Sequence, residues 1–162
     1  MLAGIGTSKD TWGQRAIKSQ RKVMTKKATH QVHARRVVHR TAAILLAAQK
    51  KIKEGKVYTG NFARAIAHQR FARKLYIQGN FMRSMHHSRR ARRLALLAIQ
   101  ANHGQETADM AYEREDEKIM NDNPVSDADL DNELIREMPG YSIKDEDFVD
   151  AALTEIDLQD ME

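Results

Sequence analysis

Charge is distributed so unevenly along this chain that it limits which folds can neutralise it. Residues 1–105 hold 23 Lys and Arg, from Lys9 to Arg93, against two acids, Asp10 and Glu54, a net +21. Residues 106–162 hold four bases against 20 acids, a net −16, and the whole chain comes to +5. A basic stretch this poor in acids cannot pair its charges within itself. It needs a polyanion, an acidic partner protein, or its own distant tail. The polyanion is the favoured reading at this point, with self-pairing second.

Composition narrows the class. A length of 162 residues suits one domain with appendages. The absence of cysteine removes a disulfide framework, cysteine-based zinc sites and a catalytic thiol. Mean hydropathy is −0.64. The longest fully apolar run, Ala42 to Ala48, is seven residues, against about 20 for a membrane-spanning helix. Met1 to Gly6 lacks the charged and apolar regions of a secretory signal. The expected setting is intracellular, in cytoplasm or nucleoid, or a virion interior, and not secreted.

Periodicity predicts an all-α chain in three parts. Residues 1–28 read as a basic arm, partly helical after Trp12 but with little to bury, with Gly4, Gly6, Gly13 and Trp12 among Lys18, Arg21, Lys22, Lys26 and Lys27. Residues 29–104 read as a basic helical body. Its first helix begins near His30: Ala34, Val38, Thr41, Leu45, Ala48 and Ile52 share one face, which Ile44 and Leu46 widen. Lys50, Lys51 and Lys53 suit its C-terminal end, and Gly55 stops it.

An internal repeat follows. Gly60-Asn61-Phe62 recurs as Gly79-Asn80-Phe81, and Arg64, His68, Arg70, Ala72, Arg73 and Leu75 match Arg83, His87, Arg89, Ala91, Arg92 and Leu94 at the same offset of 19. That is nine identities in sixteen positions. Each unit opens on Gly-Asn, a turn in which Asn is expected to cap the following helix. The spacing predicts helices over 61–78 and 80–102. Phe81, Ser84, Ser88, Ala91, Ala95 and Ala98 form a seam of mostly small residues that suits an antiparallel helical hairpin. With its alanine-rich helix, Gly-Asn-aromatic turn and small-seamed second helix, Ala72 to Ala95 resembles a tetratricopeptide hairpin. That family repeats at about 34 residues rather than 19, and no binding site is carried over from it.

Residues 105–162 read as an acidic tail with short amphipathic helices. Ser126 caps one that runs through Met138 and ends at Pro139-Gly140. Ser142 caps a second, striped by Phe148, Ala151, Ala152, Ile156 and Leu158.

The candidate chemistry is electrostatic. Arg35, Arg36 and Arg40 on the first helix, Arg64, Arg70, Arg73 and Lys74 on the second, and Arg83, Arg89, Arg90, Arg92 and Arg93 on the third are the expected polyanion-binding residues. A guanidinium donates two parallel hydrogen bonds to a phosphate. Without a zinc-finger spacing or RNA-recognition signature, contact with nucleic-acid backbone rather than base sequence is expected. His68 and His87 occupy equivalent repeat positions, which argues for a shared structural role near a seam. With no cysteine and hardly a carboxylate in their region, no metal is expected. Gly4 to Lys9 has the wrong glycine spacing for a phosphate loop. The tail carboxylates lack a calcium-loop pattern and read as a solvated acidic surface. Leu94 to Ile99 is apolar on nearly every side, so helix one, the Phe148–Leu158 stripe of the tail or another subunit is expected to cover it, and Leu96, Leu97, Phe148 and Ile156 are marked as partner-binding.

No catalytic constellation or cofactor is indicated. The expected function is therefore a non-enzymatic helical protein that binds nucleic acid or another polyanion, its acidic tail pairing with itself or with a basic partner. The alternative is a protein–protein assembly factor or structural subunit of a virion, scaffold, cargo or adaptor kind, whose basic hairpin binds an acidic protein.

Overall fold

A computed structural model of the chain describes residues 8–161, excepting the side chains of residues 8–12, 23, 24 and 160. The beginning of the expected arm, with Gly4 and Gly6, and the side chain of Trp12 lie outside the described residues. Among the described residues the fold is all-α: α1 (Ser8–Gly55), α2 (Asn61–Ile77), α3 (Phe81–Ala101), α4 (Arg114–Asp122) and α5 (Asp127–Glu137), with three short 3-10 turns in the last third. None of these helices is long and apolar enough to cross a membrane.

The first difference from the sequence expectation is α1. The helix expected from His30 begins at Ser8 and runs through the supposed arm without a break, Gly13 included. One glycine costs a helix only about 1 kcal/mol, and nothing else between residues 8 and 29 breaks it. This first half of α1 has no core to bury, and every described side chain from 13 to 29 is exposed. In the second half the expected face is buried as a strip, with Ala34, Val38, Thr41, Leu45, Ala48 and Ile52 fully covered. Ile44 joins them, whereas Leu46 faces solvent.

The repeat becomes α2 and α3. Gly60 and Gly79 both adopt left-handed φ, 87° and 82°, the conformation glycine takes without strain, so the repeated glycine marks a repeated turn. The seam serines record the direction of packing: Ser84 Oγ donates to the Ala72 carbonyl at 2.7 Å and Ser88 Oγ to Gln69 Oε1 at 2.8 Å. Contacts step backwards along α2 as they step forwards along α3, so the helices are antiparallel. The expected asparagine caps are not made, since neither helix has a side-chain cap at Gly60 or Asn80. The tail supplies one for α2 instead. The Asp145 carboxylate accepts from the Gly60 and Ala63 amides at 2.9 Å each, placing a negative charge at the positive end of that helix.

The tail wraps the body rather than standing apart. α5 forms where expected, with the Asp129 amide donating to Ser126 Oγ at 3.1 Å. The helix expected after Ser142 does not form; only a 3-10 turn at Asp145–Asp147 appears there. An irregular strap fits this stretch better, because Gln49 Nε2 on α1 fixes two of its carbonyls, donating to Phe148 at 2.8 Å and Ala151 at 2.7 Å. Val149 and Ile156 join the core of α1, α2 and α3, while Tyr112, Met120 and Leu158 join a second cluster and Leu134 a third.

Of the covers expected for Leu94–Ile99, the tail is in place, which corrects only the marking of Leu96, Phe148 and Ile156 as contacts for a separate partner. Leu96 and Ile156 are buried within the chain and Phe148 packs against the same cluster, so the tail itself covers that surface. Leu97 alone of the four stays exposed, at 48%. Each large apolar side chain so buried contributes about 1.5–3 kcal/mol.

Candidate polyanion-binding face

Helices α1, α2 and α3 project their arginines outward because the opposite faces are consumed by the core. In this structure the tail lies over those arginines. Arg36 donates to Asp116 from Nη2 at 2.8 Å and Nε at 3.3 Å, and His33 Nδ1 stands 2.5 Å from the same carboxylate. Arg40 donates to the Asp109 carbonyl at 2.6 Å. On α2, Arg64 pairs with Asp131 at 3.1 Å, and Arg70 and Arg73 donate to the Thr154 and Asp157 carbonyls at 3.1 and 3.0 Å. Lys74 is exposed and makes no ion pair among the described residues.

The α3 arginines make the densest network. Arg90 grips Asp131 with both arms of its fork, at 3.0 and 2.9 Å, and reaches Asp127 at 3.1 Å. Arg83 pairs with Glu133, Arg93 with Asp127, and Arg92 with Glu106. Arg89 meets Glu117 at 3.4 Å and Asn121 at 2.8 Å. Arg92 also donates to the Met110 carbonyl at 2.8 Å and lies over the Tyr112 ring. Arg35 is exposed on α1. The expected polyanion face is thus already occupied, for the most part, by the chain's own carboxylates and carbonyls.

Exposed pairs are worth only about 0.2–1 kcal/mol each, less than one buried leucine. The apolar anchors therefore hold the tail, and the ion pairs fix its register. The expectation of a solvated acidic tail is corrected at two positions: Asp116 and Asp145 are each only 1% exposed, and both are hydrogen-bonded as a buried charge requires.

The repeat histidines meet under this network. His68 and His87 are both fully buried, with their Nδ1 atoms 3.0 Å apart. His68 Nε2 lies 2.9 Å from Asp131 Oδ1, and His87 Nε2 3.4 Å from Glu133 Oε2 without forming a hydrogen bond. Burial first, then the neighbouring His87, pushes the His68 ring down to about 3. Burial likewise lowers His87. Burial and Arg89 push His86 down to about 4. Burial opposes the charges of Asp131 and Glu133, but the hydrogen bonds and charge of Arg90 and of Arg83 outweigh it and hold both carboxyls below their ordinary values. The pair is thus neutral between two anions. No group of three or more metal-ligating side chains occurs among the described residues.

Sequence reasoning missed the residues that answer the arginines: Asp116, Asp127, Asp131 and Glu133. The one available signal was spacing. Asp127 and Asp131, one helical turn apart behind a Ser126 cap, present two carboxylates on one face. It also missed Gln69, a buried hub whose Nε2 donates to the Val38 carbonyl at 2.9 Å and the Ile156 carbonyl at 2.7 Å while its Oε1 accepts from Ser88.

The cations of residues 13–29 differ from those of the body. Arg15, Lys18, Arg21, Lys22, Lys26 and Lys27 are exposed and make no ion pair among the described residues. Where this half of α1 meets the α2–α3 turn, Lys26, Lys27, His30 and Arg83 line a groove of about 360 Å³. Compared with family models, with curated proteins and with solved structures, the chain matches none. The tetratricopeptide likeness of Ala72–Ala95 accordingly contributes no site.

Proposed function

We propose that this chain is a non-enzymatic, polyanion-binding helical protein that grips nucleic-acid backbone with the exposed first half of α1, its acidic tail acting as an internal polyanion over the arginines of the body. The observation that carries the reading is the contrast in pairing. From Arg36 to Arg93 the body arginines have carboxylates or carbonyls of the tail within hydrogen-bond reach. Lys18, Arg21, Lys22, Lys26 and Lys27, by contrast, stand exposed on a helix with no facing acid among the described residues. A helix with cations on several sides follows phosphates without reading bases.

The test is a titration of the full chain with a 20-base-pair duplex at rising salt. About five phosphate contacts give a logarithmic slope of about −4.5, or roughly a 500-fold loss of affinity between 50 and 200 mM salt. Affinity that barely changes with salt overturns the reading. The full chain is required, because a cut at Gly104 would strip Tyr112, Met120, Leu134, Val149 and Ile156 out of the cores.

The neutralised body favours a second reading. With its arginines satisfied internally, the same exposed helix could dock on an acidic protein as an assembly or structural subunit. A stoichiometric acidic partner retained at a salt that removes the duplex supports this alternative.

A further inference from the structure

The His68–His87 contact is a proton-counting device by its geometry. Two Nδ1 atoms 3.0 Å apart hold one proton between them. An ionised carboxylate only accepts, so His68 Nε2 donates to Asp131, and the Nδ1 of His68 must accept from the Nδ1–H of His87. In the neutral pair that leaves His87 Nε2 without a proton, 3.4 Å from Glu133 Oε2, so one added proton can be placed there. If both rings became imidazolium, two N–H groups would face each other across this gap inside a site that water does not reach.

We propose that the His68–His87 pair is an acid-opened clasp for α5: the two rings hold Asp131 and Glu133 only while they are not both charged, and acidification lifts α5 from Arg64, Arg83, Arg90 and Arg93. The inference rests on the polyanion-binding reading, to which it adds a way of uncovering the masked arginines. The groups facing the pair are Asp131 and Glu133 from α5, Arg64 from α2, and Arg83 and Arg90 from α3. The edge of Phe71 closes the site, 4.5 Å from His87 between ring centres. The three guanidiniums add to the cost of a second cation.

The sign follows from linkage. With α5 docked, both rings titrate below the ordinary value; with α5 lifted and water admitted, they return towards about 6.5. The lifted state then binds more protons, so the clasp is at full strength above about pH 6.5 and weakens as pH falls. The docked pair accommodates one proton, so the excluded second proton contributes about tenfold between pH 7.5 and 5.5. This window lies above the range in which Asp131 and Glu133 take up protons, both being lowered.

Hydrogen exchange of the Leu130 and Leu134 amides in the full chain reads the rare lifting of α5. Corrected for the intrinsic effect of pH, wild-type protection should fall about tenfold more between pH 7.5 and 5.5 than protection in the H68Q/H87Q variant. His39→Asn, at an exposed tail contact, should leave the wild-type response in place. Equal responses in wild type and the double variant overturn the clasp. If the double variant does not fold, ring titration by NMR in the wild-type chain decides the same question. At most one charged ring at pH 5.5 while α5 is protected supports the clasp, and two rings that both titrate near 6.5 with α5 still protected overturn it. Duplex affinity in the same samples separates the two claims: falling protection with unchanged affinity keeps the clasp and overturns the masked-face part of the function.

Discussion

The two halves of α1 carry the same kind of charge and meet opposite fates. From residue 13 to 29 the helix is exposed at every described side chain and its cations have no facing acid among the described residues. From Ala34 to Ile52 one face is buried, and Arg36 and Arg40 on the other side are held by Asp116 and the Asp109 carbonyl. The difference lies in what can be buried alongside the charge. The apolar anchors of the tail sit where the body has apolar side chains to receive them, as Tyr112, Met120 and Leu158 do against Val37, Val38 and Met85. Carboxylates arrive as passengers on those anchors, and the half of α1 without apolar neighbours attracts none. A cluster of arginines thus marks a binding surface only after the chain's own acids have been accounted for.

This contrast can be attacked at its largest expected effect first. Replacing Lys18, Arg21, Lys22, Lys26 and Lys27 together with Gln should reduce the salt response of duplex binding from roughly 500-fold to less than about tenfold between 50 and 200 mM. A full response in that variant would mean that the body arginines bind nucleic acid despite the tail.

On the buried side, Gln69→Leu removes the hub that ties α1, α3 and the strap together and orphans buried carbonyls. A loss of about 2–3 kcal/mol in chemical denaturation is expected. Arg90→Met should cost about 1–2 kcal/mol by leaving Asp131 short of its bidentate partner, whereas Arg21→Met should change stability by less than about 0.5 kcal/mol. Equal effects at these two arginines would erase the distinction between the halves. Asp145→Asn should cost about 1 kcal/mol, from a weakened cap on α2.

How much of this is legible in the sequence depends on whether the determinant is local. The faces of α1, α2 and α3, the repeat and the Ser126 cap follow from neighbours within two turns, and all can be read from spacing. The extent of α1 escapes such a reading because a run of like charges suggests an extended arm, while helix propensity tolerates Gly13 and no proline intervenes. The strap after Ser142 escapes it because its stripe has a helical period, yet its backbone is fixed by Gln49 and by Arg70 and Arg73, far away in sequence. The arginine positions are legible and their partners are not, since a pairing such as Arg90 with Asp131 depends on how the tail docks. His68 and His87 lie between these cases: the repeat announces a shared role, but only the packing of α2 on α3 brings the rings together.

The central claim is that the uncovered half of α1, and not the tail-covered arginine face, makes the first contact with a polyanion. NMR mapping of the full chain during titration with a 20-base-pair duplex at pH 7.5 tests it most directly. Shifts should concentrate in residues 13–30 while the amides of α5 keep their positions. Shifts concentrated on Arg83 to Arg93 with α5 displaced, or no binding at low salt, would contradict it.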